Sequence, residues 1–238
     1  MGSARVAPSF VAVAILAWAG AAHAQSSLSG VSGYFTLGSG YFRHGIAQTD
    51  GASLQLGVDY QHYTGFFAYA RALNVDYAQL SFYRQRSVET SAYVGYHDRG
   101  ERWSWTVSGG RYWYTESGGY DYDEWSASVG FRDRVFYSAS YGDGYYGSSA
   151  LNQEVAVAYP LPGNFEIGGA LGYLDVSGGP DITHFNLGAS KLIGRIAIDL
   201  RYYDGDYDGR YYFGDPDAEH YVLSLSYALK RNPLRERR

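Results

Sequence analysis

Charged residues recur in this chain at alternate positions of otherwise apolar segments, and any chemistry has to be sought in that spacing. Asp59, Arg71, Glu89, Arg102, Glu124, Arg132, Glu154, Glu166, Arg195, Asp199 and Arg201 each lie in or beside a segment whose other face is apolar. Carboxylates and guanidiniums gathered around an enclosed space can form rings of charge that select solutes in a pore. The same groups can pair with one another and fill the space instead.

A second set lies in the stretch DGDYDGRYYFGD, residues 204–215. Asp204, Asp206, Asp208, Gly209 and Asp215 match positions 1, 3, 5, 6 and 12 of the calcium-loop pattern, which needs hard oxygen ligands and a Gly at the bend. Position 12 is Asp rather than the longer bidentate Glu, so the loop fits a weak external Ca²⁺ site or a solvated acidic loop, with no other cofactor indicated. Catalytic patterns are missing. His44, His62, His97, His184 and His220 accompany no G-x-S-x-G and no H-E-x-x-H, so the chain is not expected to be an enzyme. With no Cys, disulfides, thiolate metal sites and lipid-anchoring cysteines are excluded.

The elements that position these residues are strands. Tyr numbers 26 and Gly 31 in 238 residues, the bias of pleated sheet and tight turns. Alternating segments fall near 29–42, 52–62, 65–75, 86–97, 101–113, 123–132, 134–142, 149–159, 164–174, 182–192, 194–203 and 219–229. Most are long enough for a tilted strand to cross a bilayer, which takes ~9–11 residues. Connections alternate between short (63–65, 97–101, 133–134, 160–164, 193–194) and long (43–51, 76–85, 114–122, 143–149, 175–181, 204–218). That alternation predicts an all-β fold, a twelve-stranded antiparallel up-and-down transmembrane barrel with both termini on the short-turn, periplasmic side.

Facial assignment follows from period two. Leu54, Leu56, Val58 and Tyr60 share one face, as do Tyr221, Leu223, Leu225 and Tyr227, or Ile196, Ile198, Leu200 and Tyr202. In a barrel these meet lipid, and the charged set above lines a wet interior. Strand 65–75 can be read either way; turning Arg71 inward places Phe66, Ala68, Ala70 and Ala72 outside. Arg111 and Lys191 break the apolar face only near strand ends, where long basic side chains reach the interface.

At the N-terminus, Arg5, the apolar run Phe10 to Ala19 and the A-x-A site Ala22-His23-Ala24 predict a cleaved signal peptide over 1–24. Residues 25–229 then form the barrel and 230–238 a basic tail. Nucleic-acid binding is not expected, because the basic residues cluster only in that tail and acidic residues outnumber basic ones, 24 to 19.

YFRHGIAQTDG, followed by LQLGVDY and GFFAYARALNVDY, resembles the N-terminal signature of the TorF family of porins, a group of proteobacterial outer-membrane proteins. Arg43, Gln48, Thr49, Gln55, Gly57, Asp59 and Asp76 carry the likeness; His44 is an insertion and Ala47 replaces Ser. The resemblance implies an outer-membrane barrel with a porin-like role. Together these readings predict a channel for passive diffusion of small polar solutes, or else a plugged structural or surface-binding barrel. Its expected partners are outer-membrane lipid and lipopolysaccharide, the solutes themselves, and the barrel-assembly machinery during biogenesis.

Overall fold

A computed structural model describes residues 29–49, 51–77, 85–116, 120–145, 147–206, 220–229 and 232–233. The signal-peptide reading, 1–24, and most of the basic tail lie outside them. The strands are β1 (Gly30–Gly38), β2 (Phe42–Arg43), β3 (Ile46–Ala47), β4 (Ser53–Gln61), β5 (Phe66–Tyr77), β6 (Gln85–Arg99), β7 (Trp103–Tyr114) and β8 (Tyr122–Phe131). They continue as β9 (Val135–Tyr145), β10 (Ser148–Leu161), β11 (Phe165–Val176), β12 (Ile182–Ile193), β13 (Ile196–Gly205), β14 (His220–Ala228) and β15 (Asn232–Pro233).

From β4 to β14 each strand pairs with its sequence neighbour, β4 pairs with β1, and β14 pairs back onto β1 through Tyr34↔Ala228 to Gly38↔Ser224. The result is the expected closed barrel of twelve antiparallel strands, β1 and β4–β14, with no free edge. At strand spacings of ~4.8 Å and tilts near 40° such a cylinder measures roughly 24 Å between backbones. Side chains entering from both sides reduce an unobstructed bore to about 10 Å or less.

Apolar residues point out along the whole wall. Leu56, Val94, Leu171, Leu187, Leu200 and Leu223 are all exposed, and Leu187 reaches 64%. A belt this continuous is the signature of a surface built for a non-aqueous neighbour. On β5, Phe66 faces out while Arg71, Leu73 and Val75 are turned in, as the Arg71 argument requires. The two charges that break the belt are handled locally: Arg111 pairs with Asp123 across β7 and β8 at 3.1 Å, and Lys191 lies over the Phe165 ring at 4.4 Å.

Two segments differ from the sequence reading. The first strand ends at Gly38 rather than at 42, and the chain then forms the separate hairpin β2–β3. Of the stretch 143–149, read as a long loop, residues 143–145 continue β9 and 148–149 open β10. Gly144 and Gly147 take positive φ of 100° and 83° and make the turn, with the Gly147 N–H donating to the Gly144 carbonyl at 2.9 Å.

Replacing Leu187 at mid-strand by Arg should cost ~2–4 kcal/mol of folding stability in lipid vesicles, whereas Ile193→Arg beside the short turn should cost ~0–1 kcal/mol. Denaturant titration in vesicles measures both; equal costs would count against a lipid-facing belt.

Candidate functional site

Hairpin β2–β3 does not project into solvent. Tyr41, Phe42, Arg43 and Ile46 are buried, as are Gln48 and Thr49 that follow. The chain turns back into the barrel at its long-loop end. Its backbone is tied to the wall there: the Asp76 N–H donates to the Gln48 carbonyl at 2.8 Å, and the Gln48 N–H closes the hairpin on the Tyr41 carbonyl at 2.7 Å.

Local geometry explains why these residues turn sharply. His44 and Gly45 occupy positive φ, 50° and 75°. A Cβ on Gly45 would stand 2.5 Å from the His184 Cβ, so only Gly lets the tip pass so close to β12. Phe42 stacks on Tyr203 at 4.9 Å between ring centroids, and His44 Nδ1 lies 3.2 Å from the Tyr145 hydroxyl. Burial pushes the His44 imidazole well below its usual pKa, and the nearby His184 and Arg43 add to the shift.

The polar anchor is Glu89 on β6, fully buried. Its Oε1 accepts hydrogen bonds from Arg43 Nη2 and from Arg71 Nη2, the latter at 2.9 Å, while Oε2 accepts from the Tyr114 hydroxyl at 2.9 Å. Two guanidiniums against one carboxylate leave N–H groups over, and tyrosines take two of them. Arg43 Nη1 donates to Tyr122 Oη at 3.1 Å and Arg71 Nη1 to Tyr41 Oη at 3.2 Å. Arg43 also lies over the Tyr112 ring, 4.6 Å from its centroid. Charged groups stay inside a protein only when paired and hydrogen-bonded in this way.

Around this anchor Tyr93, Tyr112, Tyr114, Tyr122 and Tyr145 pack with Leu73, Val75, Leu174 and Ile182 into one buried cluster that includes Tyr41 and Ile46 of the hairpin. The long-loop half of the lumen is therefore a protein core. The expected wet interior with charge on every wall is not what fills it.

Of the expected wall residues, Arg71, Glu89, Glu124, Glu154, Asp199 and Arg201 do point inward and are buried. Asp59, half-buried, accepts a hydrogen bond from Ser32 Oγ at 2.6 Å, and Glu166 is half-buried on β11. Tyr93 donates to Glu124 Oε1 at 3.1 Å. Arg201 is held by Asp199, at 3.3 Å through both Nε and Nη2, and by Asn186 Oδ1 at 2.6 Å. Arg102, Arg132 and Arg195 are corrections: all three are exposed in short turns between strands, where the pleat no longer dictates direction. Arg132 has left the strand conformation altogether, at φ 53°.

For the calcium-loop reading, Asp208 and Asp215 fall outside the described residues. Asp204 accepts from Tyr202 Oη at 3.0 Å and from the Gly205 N–H at 2.8 Å, and Asp206 from the Thr183 N–H at 2.6 Å. These carboxylates serve the strand ends. Among the described residues no cluster of three metal-ligating side chains is found.

Between the hairpin and the β8–β10 wall remains a cavity of about 90 Å³. Ser126, Ser128, Ser138 and Ser140 line one side; Arg71, Ser91 and Tyr93 line another, with Asn152 and Glu154 on β10 completing it. Sequence reasoning placed Arg43 and His44 in an external loop and so missed the hairpin. A signal was present: Tyr41 and Phe42 at the end of the expected strand and Ile46 in the connection after it are costly to leave in water, so this part of the chain seeks cover.

No family model matches the chain, and no curated protein matches it. Solved structures do. The fold is similar to that of the KdgM porin (12% identity, TM-score 0.56, covering 84% of this chain and 99% of that one). The NanC porin is similar as well (11%, TM-score 0.55, 86% and 100%), and so is LpxR from Salmonella typhimurium (8%, TM-score 0.51, 83% and 99%). At these identities the likeness establishes a shared β-barrel fold and does not carry residue roles across.

Glu89→Gln leaves two buried guanidiniums without their carboxylate and should destabilise the folded barrel by ~3–5 kcal/mol, while Arg111→Ala on the outer face should cost no more than ~1 kcal/mol. Reversible unfolding in detergent or vesicles compares them; similar losses would show that Glu89 is not the anchor.

Proposed function

We propose that this protein is an outer-membrane channel through which small polar solutes diffuse, with its aperture set by the inward hairpin. The observation that carries the reading is a polar cavity lying directly against a hairpin that is anchored by an ion cluster and turns on Gly45. A barrel serving only as scaffold has no use for a serine-lined space beside Glu154. The resemblance of residues 41–77 to TorF-family porins supports the same reading, as does a fold shared with two porins.

In the conformation described, the hairpin and the tyrosine cluster occupy the long-loop half of the lumen. Conduction then follows displacement of the hairpin, and the short-turn half, lined by small residues such as Ala156, Gly168 and Ser190, is the constant part of the path. The ionic anchor suits a movable part. Charged contacts can be exchanged for water as the hairpin leaves, which an all-apolar plug cannot do.

A second reading rests on the packing itself. The buried tyrosines around the hairpin are what a permanently plugged barrel would contain, and acidic residues at its long-loop end, including Asp175, Asp181 and Asp204, would then meet lipopolysaccharide or ions at the cell surface.

Planar-bilayer recording separates the two. The wild type should show small single-channel steps, and a variant whose residues 41–48 are replaced by a short Gly-Ser link should show steps several-fold larger. Silence of the wild type across salts and voltages would establish the plugged barrel, whatever the linker variant does. Gly45→Ala, which cannot seat against His184, should resemble the linker variant.

A further inference from the structure

Three buried polar atoms around the cavity are left without a hydrogen-bond partner among the described residues: Arg71 Nε, Ser91 Oγ and Glu154 Oε2. Ser91 is 2% exposed, Glu154 3%, and the Arg71 side chain 8%. Their residues all line the same space. Leaving such groups unsatisfied forfeits the hydrogen bonds that water would have supplied, most severely for charged ones, so a site that holds several open is built for something that completes them.

Their placement is polarised. Arg71 and Ser91 are register partners on β5 and β6, so a guanidinium N–H and a hydroxyl stand side by side as donors. Glu154 faces the cavity from β10 with Ser138 and Gly172 as register neighbours, and the basic group within electrostatic reach, Arg201, is engaged by Asp199 and Asn186. Arg43 lies on the first side too, and Glu89 and the cavity-lining Glu124 offset the two guanidiniums there, so what this side offers a solute is the N–H of Arg71 and the O–H of Ser91. One side therefore donates to an anion and the other accepts from a cation, with serine hydroxyls between them that suit either.

We infer that this cavity binds a small zwitterion, its carboxylate received by Arg71 Nε and Ser91 Oγ and its ammonium by Glu154. The inference deepens the channel reading and rests on it only for how the solute arrives. A solute held at both ends satisfies all three open atoms at once. A simple anion or cation satisfies one end and places its charge against nothing on the other. A neutral polyol fits the hydroxyl wall but forgoes both charge-assisted bonds, which are about twice as strong as neutral ones.

Isothermal titration of the purified wild-type barrel in detergent with four probes of one carbon skeleton tests this: 4-aminobutyrate, butyrate, butylammonium and erythritol. 4-Aminobutyrate should bind at least tenfold more tightly than each of the others. Glu154→Gln should bring it to within about threefold of butyrate, and Ser91→Ala, which keeps every charge, should weaken it several-fold. Equal or tighter binding of erythritol or of either singly charged probe would overturn the assignment, as would no binding by any. Because titration needs no conduction, binding by a barrel that is silent in bilayers would sink the channel reading and leave the site standing. Conduction without binding would do the reverse.

Discussion

One carboxylate sets the arrangement of the interior. Glu89 sits fully buried between Arg43 and Arg71, and through Arg43 it draws a segment of the first connection into the barrel. A charged side chain at 0% exposure cannot be solvated, so the surroundings must supply what water would. They do so with two guanidiniums and the Tyr114 hydroxyl, and the guanidiniums in turn need Tyr41 and Tyr122. Removing any member leaves the rest incompletely satisfied.

This explains an odd feature of the composition. Tyrosine outnumbers every other aromatic in the chain, 26 against 11 Phe and 5 Trp. On the outer surface an aromatic ring at the strand ends suits the boundary between apolar belt and water, where Tyr and Trp serve alike. Inside, only Tyr can fill volume, accept an arginine N–H and offer a ring face to the same guanidinium, as Tyr122 and Tyr112 do around Arg43. A lumen packed with Phe would strand the charges, and one packed with Ser would not hold the hairpin. The β8–β9 wall, where serines face inward instead, is where the space remains.

Much of the barrel was legible in sequence because strand periodicity is two and leaves little freedom: once Leu54, Leu56 and Val58 face outward, Gln55, Gly57 and Asp59 must face inward. Strand bounds were read to within a few residues, and the orientation of β5 followed from the single charge at Arg71. What escaped lay where that rule lapses. Arg102, Arg132 and Arg195 were assigned to the wall by extending the alternation one step too far into turns. The stretch 143–149 looked like a loop because Gly144 and Gly147 break the pattern, although they make a tight turn within a longer hairpin. The inward path of residues 41–48 was invisible to periodicity because it is a tertiary decision, made by the match between Arg43 and a carboxylate 46 residues away.

Hydrogen–deuterium exchange on the protein in lipid bilayers tests most directly whether that match holds the hairpin inside the barrel. The amides of Gln48 and Asp76, which donate to Tyr41 and Gln48, should be protected to nearly the extent of the neighbouring strand β4. Exchange of both at the rate of an open surface loop would mean that the segment lies outside the lumen and that Glu89 does not hold Arg43 inside the barrel.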